Sequence, residues 1–209
     1  MKKIRTLAIT LLLATALLLV GCNSKEAPLF SDLDFTAVDP ANCEETTQVT
    51  NYVKLTVKDY GDILIRLYPD VAPKTVANFQ KLVAEGFYTG LTFHRVISGF
   101  MIQGGASEDK KADTVYGEFS ANGYTNNLKH IRGVISMARL SSDYNSASSQ
   151  FFIVHKTSAH LNGQYAAFGY VVSGLEVVDA IAAVSTDSSD KPRTDVVIDK
   201  AVFVTVNGK

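Results

Sequence analysis

Phe93-His94-Arg95-Val96-Ile97-Ser98-Gly99-Phe100-Met101-Ile102-Gln103-Gly104-Gly105 sets one strong cation and one amide among large apolar side chains and glycines. The apolar positions Phe93, Val96 and Ile102 predict a half-buried strand, and Gly104-Gly105 supplies the turn that ends it. Arg95 and Gln103 are left over. An arginine is seldom fully buried unless paired, and the run holds no carboxylate, so Arg95 is expected to face an accessible groove with its donors free. His94 is expected on the opposite side of the strand, as structural support. On the residues alone, a surface arginine on an ordinary strand and a binding groove fit this run equally well.

Working outward, Tyr52 to Lys58 alternates, Gly61-Asp62 marks a turn and Ile63 to Tyr68 forms a second strand, which together predict a hairpin ended by Pro69 and Pro73. Lys74 to Glu85 carries Val76, Phe79, Leu82 and Val83 on one helical face and stops at Gly86. Beyond the opening run, short strands are expected at Gly133 to Ala138, Gln150 to His155 and Ala166 to Val172. A second amphipathic helix follows at Leu175 to Val184, and Val196 to Val206 closes the chain as one or two strands. Many short strands with two isolated helices favour a mainly β architecture, a closed antiparallel barrel capped by helices. No internal repeat is visible.

The N-terminus is organised differently. Lys2, Lys3 and Arg5 precede an uncharged apolar stretch from Thr6 to Val20, then Gly21-Cys22, which is the anatomy of a secretory signal. The apolar stretch falls short of the roughly 20 residues that span a bilayer comfortably. Leu19-Val20-Gly21-Cys22 resembles the bacterial lipobox, which implies removal of residues 1–21 and lipidation of Cys22 on the outer side of a membrane. Residues 22–50 carry six acidic side chains against Lys25, together with Pro28 and Pro40. They read as a solvated tether, with docking conceivable at Leu29-Phe30 and Leu33 to Phe35. Residues 51–209 are expected to form one domain.

The whole chain balances 20 basic against 21 acidic side chains, and three of the basic ones lie in the signal. The body that remains is mildly acidic and a poor match for nucleic acid. With Cys22 lipidated, Cys43 is the one remaining thiol and no internal disulfide forms. No basic neighbour in sequence would activate it, so it is expected to be inert.

Ordinary catalytic sets are missing: there is no Gly-x-Ser-x-Gly elbow, phosphate loop or dinucleotide fingerprint. His155 and His160 stand five apart, a poor spacing for a metal pair, so no metal and no cofactor are expected. Ser141, Ser142, Ser146, Ser148 and Ser149 crowd one loop without an acid-base partner in sequence and read as turn formers rather than hydrolase nucleophiles.

Phe93-His94-Arg95 with Gly99 to Gly105, then Ile135-Ser136-Met137-Ala138, Ser149-Gln150-Phe151-Phe152-Ile153, Leu161-Asn162-Gly163 and Phe168-Gly169, resemble the cyclophilins, the peptidyl-prolyl cis/trans isomerases of that type. The resemblance runs in order from about Tyr52 to Val206; Met137-Ala138-Arg139 and His160 to Tyr165 are similar to bacterial members. It implies a closed eight-stranded barrel capped by two α-helices. It further implies Arg95 as the catalytic residue, with Phe100, Met101, Gln103, Ala138, Arg139, Gln150, Phe152, His160, Leu161 and Tyr165 contacting the substrate. In that frame Phe100, Met101, Phe152 and Leu161 hold the proline ring, Gln103 holds the substrate carbonyl or orients Arg95, and Ala138, Arg139 and Gln150 line the adjoining groove.

The chain departs from the best-known eukaryotic members at His160, where those carry a tryptophan that contacts cyclosporin, so strong inhibition by that drug is not implied. Tyr165 replaces a pocket histidine, Arg139 an asparagine and Ser98 a common proline. The implied partners are proline-containing exported polypeptides and a membrane reached through the lipid, with the protein a monomer in an extracytoplasmic location. A membrane-tethered binding module or chaperone that grips proline segments without turnover is the alternative these residues leave open.

Overall fold

Alternation of buried and half-buried positions in Tyr52–Val57 builds strand β2, which turns back into β3 (Gly61–Leu67) in the expected hairpin, Val53 facing Ile65 and Leu55 facing Ile63. The computed structural model describes residues 26–207; the signal segment and Cys22 lie outside them. Helix α1 (Pro73–Ala84) follows, burying Thr75, Val76, Phe79, Leu82 and Val83. Pro73 starts this helix instead of merely ending the hairpin, because a first-turn residue has no intrahelical N–H to lose. Gly86 takes φ +63 just past the helix, the left-handed conformation a helix terminator uses.

The opening run is a hairpin rather than one strand: β4 (Arg95–Ile97) and β5 (Met101–Gly104) pair antiparallel around the turn at residues 98–100. Three strands come next, β6 (Val134–Met137), β7 (Phe151–Val154) and β8 (Ala167–Ser173), then α2 (Leu175–Ala182) and one long β9 (Ile198–Val206). A further strand, β1 (Cys43–Thr46), lies along the outer edge of β9.

These make one antiparallel sheet of nine strands in the order β1-β9-β2-β3-β8-β6-β7-β5-β4. The expectation of a closed eight-stranded barrel is therefore corrected. Two causes are visible. Among the described residues the segment before β4 meets β9 and the residues leading into it through the isolated bridge Thr92 to Val197 and separate backbone bonds, Phe93 N to Val196 O at 2.9 Å and the Gly90–Ile198 and Ile198–Leu91 bonds at 2.8 Å, with no continuous ladder. The N–H of Val96, on β4, is taken at 2.8 Å by the carbonyl of Asp190 in a loop, while β1 occupies the far edge of β9.

Inside, Phe79 of α1 meets Phe151 of β7 edge-on at 5.8 Å and Phe168 of β8 at 5.1 Å, and Tyr88 and Phe93 pack on the same Phe151 ring. Edge-to-face pairs of this kind add about 1 kcal/mol each beyond the area they bury. Glu118, fully buried, accepts the backbone N–H groups of Lys74 and Thr75 and the Thr75 hydroxyl, so a distant carboxylate caps α1 in place of Ala72 at its N-cap.

The acidic N-terminal segment docks more extensively than expected. Val38 is buried and its N–H bonds to the carbonyl of Val172 at 3.0 Å. Phe35 packs edge-on against Tyr170 and Tyr68. Arg66, 6% exposed, ion-pairs with Asp34, donates to the Asp34 carbonyl at 2.7 Å and bonds the Tyr52 hydroxyl. The ion pair sits beneath two stronger causes, the hydrogen bonds from Thr36, and together these hold the Asp34 carboxyl far below the usual carboxylate range. Among the described residues no helix is long and apolar enough to cross a membrane.

Candidate active site

Register assembles the site. Arg95 on β4 stands opposite Gln103 on β5, Gln103 opposite Phe152 on β7, and Phe152 opposite Ser136 on β6, so one row of side chains crosses four neighbouring strands on the same face. Met101, two residues before Gln103, shares that face, while Ile102 between them is fully buried on the other.

A cavity of about 320 Å³ opens over this row, lined by Arg95, Phe100, Met101, Gln103, Ala138, Arg139, Phe152, Leu161 and Tyr165. Met101, Phe152 and Leu161 are buried and form its apolar floor. The edge of the Tyr165 ring meets Phe152 at 5.7 Å. Such a hollow accepts a small apolar ring and presents a fixed cation at its margin.

Two of the residues expected in the pocket lie beside it. Gln150 accepts a hydrogen bond from the Gln103 amide at 2.9 Å and lines a neighbouring hollow of about 230 Å³ with Ala138, Arg139, Leu140, Ser146 and Ser148. His160 is exposed, on a single 3-10 turn (Ala159–Leu161), and packs on Phe100 with ring centres 5.6 Å apart.

Arg95 is not the unpaired cation that its sequence surroundings imply. Its Nε lies 3.3 Å from the Asp190 carboxylate, a partner 95 positions away. Arg139 is held more completely. Its guanidinium lies 4.7 Å from the Tyr165 ring centre, 4.8 Å from that of Tyr144 and 5.2 Å from that of Phe119, while its nitrogens donate to the carbonyls of Gln164 and Leu140. It is a strut between the two hollows, and the donors so used are turned away from a ligand.

A buried layer supports the floor. His130 stacks on Phe152 with ring centres 6.0 Å apart, its Nε2 is 3.1 Å from the Ser136 hydroxyl, and its Nδ1 is 3.2 Å from Asn162 Oδ1. Burial drives the His130 pKa down to about 4, against a smaller opposing pull from Asn162, so the ring is neutral at physiological pH. The serine, histidine and amide only look like a nucleophilic set: Ser136 and His130 are sealed from solvent.

His94 is half-buried; burial lowers its pKa, while contacts with the Thr92 backbone and the Gln150 side chain oppose that shift. His155 accepts the Gly99 N–H at 2.9 Å through Nδ1 and faces Asp179 through Nε2 at 3.2 Å, which anchors the turn that carries Phe100. His155 and His160 thus serve different contacts. Ser146 donates to the Asp143 carbonyl within its own turn, whereas the buried Ser149 donates across the chain to the Gly105 carbonyl at 2.8 Å, a tie that the turn-former reading did not include. Burial pushes the Cys43 thiol above its ordinary range, away from the reactive thiolate.

Asp190, His130 and His155 are the functional neighbours that sequence reasoning missed. The cluster Asp187-Ser188-Ser189-Asp190 signals a turn, but nothing local says that the turn lands on Arg95.

Comparisons with known proteins agree on one class. The family model for "Cyclophilin type peptidyl-prolyl cis-trans isomerase/CLD" matches residues 52–203. Peptidyl-prolyl cis-trans isomerase B of Bacillus subtilis is 48% identical over 124 residues, 57% of this chain and 82% of that one. Its Escherichia coli namesake is 41% identical over 153 residues, 68% and 93% of the two chains. The chain spans 37% of the length of a longer relative from Streptococcus pyogenes, at 36% identity. A Cryptosporidium parvum cyclophilin-type isomerase, crystallised in the presence of the dipeptide Ala-Pro, superimposes with a TM-score of 0.66 at 31% identity, covering 76% of this chain and 99% of that one. With the cavity, its apolar floor and its marginal arginine in the places described, the chain belongs to the cyclophilin-type peptidyl-prolyl cis-trans isomerases.

Proposed function

We propose that the protein accelerates rotation about X-Pro bonds in exported polypeptides, with Arg95 as the catalytic residue, while a lipid on Cys22 holds it at the outer side of a membrane. The observation that carries the catalytic part is the Arg95 guanidinium at the rim of a cavity floored by Met101, Phe152 and Leu161. Rotation about an X-Pro bond faces a barrier of roughly 18–20 kcal/mol, because amide resonance is lost on the way. In the twisted state the proline nitrogen regains its lone pair. A donor fixed beside it stabilises that state over either planar isomer.

The floor takes the proline ring and excludes water, so the arginine acts at lower local dielectric than in bulk. Gln103, oriented by Gln150 at 2.9 Å, takes the substrate carbonyl. Phe100, Leu161 and Tyr165 wall the ring, and His160 stiffens Phe100 by packing on it. Ala138, Arg139 and Gln150 line the path of the preceding residues. The Ala-Pro dipeptide used with the Cryptosporidium relative is of the ligand class this cavity suits.

The address rests on the basic, apolar and Gly21-Cys22 sequence of the first 22 residues. Two measurements test the reading. A protease-coupled isomerase assay on a proline tetrapeptide compares wild type with Arg95→Ala: a loss of about 100-fold or more in kcat/KM is expected, and equal activity refutes the assigned mechanism. The chain assayed should retain residues 26–50, which pack on the domain. For the address, the mature protein should fractionate with membranes and carry a lipid mass on Cys22; an unmodified protein in the soluble fraction refutes that part alone.

A further inference from the structure

We infer that Asp190 is a positioning residue that aims the Arg95 guanidinium, an inference that rests on the reading of Arg95 as catalytic. Among the described residues the one hydrogen bond made by the guanidinium runs from Nε to Asp190 Oδ2, at 3.3 Å. Gripping an arginine at Nε fixes the plane of the group, and among the described residues neither terminal nitrogen makes a hydrogen bond that would compete with a ligand. Arg95 lines the cavity and Asp190 does not, so the grip comes from outside the hollow that the arginine borders.

The grip has a second point. The Asp190 carbonyl takes the Val96 N–H at 2.8 Å, so one residue holds both the backbone of β4 and the side chain that β4 presents. Asp190 is itself firmly placed. Asp187 Oδ1 accepts the N–H groups of Ser189 and Lys191 at 2.8 and 3.0 Å, and Asp187 N donates to the Lys191 carbonyl at 2.8 Å. A bridge between Thr186 and Pro192 closes the loop at its base. Within it Asp190 adopts φ +63, a conformation open to Asp, Asn and Gly and strained for most other residues. Both partners are about two-fifths exposed, so attraction between them is screened and adds little stability. The consequence of the pair is orientation: an arginine free to swing loses the alignment on which transition-state stabilisation depends.

The substitutions Asp190→Gly and Asp190→Asn separate this from a structural role, because both tolerate the positive φ and keep the backbone carbonyl for Val96. Only Asn retains an acceptor for Nε. In the isomerase assay, Asp190→Gly is expected to lower kcat roughly 10-fold with KM little changed, and Asp190→Asn to recover turnover to within about threefold. By NMR, the Arg95 Nε–H should be protected from exchange in wild type and Asp190→Asn and unprotected in Asp190→Gly. Wild-type kcat in Asp190→Gly overturns the inference, as does equal impairment in both variants or an Nε–H that stays protected in Asp190→Gly. Arg95→Ala, run beside them, tells the two readings apart: its inactivity with a fully active Asp190→Gly refutes only the role of Asp190, whereas its full activity refutes both.

Discussion

Acidification should destabilise the fold through one histidine beneath the cavity floor. His130 is 1% exposed and its pKa lies at about 4, against 6.5 for a free imidazole. A histidine whose folded pKa is lowered binds fewer protons folded than unfolded between these two values, so folding stability rises with pH across that window and falls on acidification. At 1.36 kcal/mol per unit the full cost is about 3 kcal/mol, reached below pH 4, with most of it incurred by pH 4.5. Carboxylates act lower down. The Glu45 pKa falls to about 2 from 4.5 because Lys200 and Lys54 hydrogen-bond it, so its contribution is lost only below pH 4.5. His94, also lowered, contributes with the same sign in the histidine window. Urea denaturation of wild type and His130→Gln at intervals from pH 7.5 to 4.5 measures the term. The variant is expected to be less stable at pH 7.5, having lost the stack on Phe152, and to lose about 2 kcal/mol less than wild type on acidification. Parallel stability curves for the two proteins would refute the reasoning.

Phe152→Ala should raise KM for a proline peptide at least 10-fold and lower stability by about 3–5 kcal/mol, read by isomerase kinetics and by denaturation of the same samples. Gly105→Ala sets a methyl 2.7 Å from the Ser149 carbonyl oxygen at φ +81, and a drop of more than about 2 kcal/mol is expected in chemical denaturation. Arg66→Ala leaves Asp34 and Tyr52 without the buried cation between them. Because the Asp34 carboxylate is half exposed, the expected loss is about 1–3 kcal/mol, from the hydrogen bonds to Tyr52 and the Asp34 carbonyl, with new protease cleavage between residues 30 and 46, and an unchanged digestion pattern would show that the segment holds without it.

What the sequence made legible was local. Tyr52 to Lys58 alternates and the Gly61-Asp62 turn separates it from the apolar run Ile63 to Tyr68, so the hairpin follows from local pattern, and α1 follows from Val76, Phe79, Leu82 and Val83 with Gly86 behind them. Arg95 and Gln103 stood out because the pleat left two polar side chains in an apolar run, and register brings them face to face. The rest depended on partners far along the chain. Cys43 pairs with Val206, so Cys43-Glu44-Glu45-Thr46 looked like tether until its partner strand was in place. Asp190 reaches Arg95 across 95 positions and His130 meets Phe152 across 22, distances that no periodicity spans. His160 matched by motif yet sits outside the cavity lining, since a single 3-10 turn directs it toward Phe100 instead.

Strand β1 has a further meaning for a sheet that does not close on itself. An open sheet offers unpaired N–H and C=O groups to any passing strand. Here the chain spends four of its own residues on the rim of β9, and they present Glu44 and Glu45 outward, with Glu45 tied to Lys54 and Lys200. The sheet therefore ends in a short charged border that an incoming polypeptide gains little by lengthening.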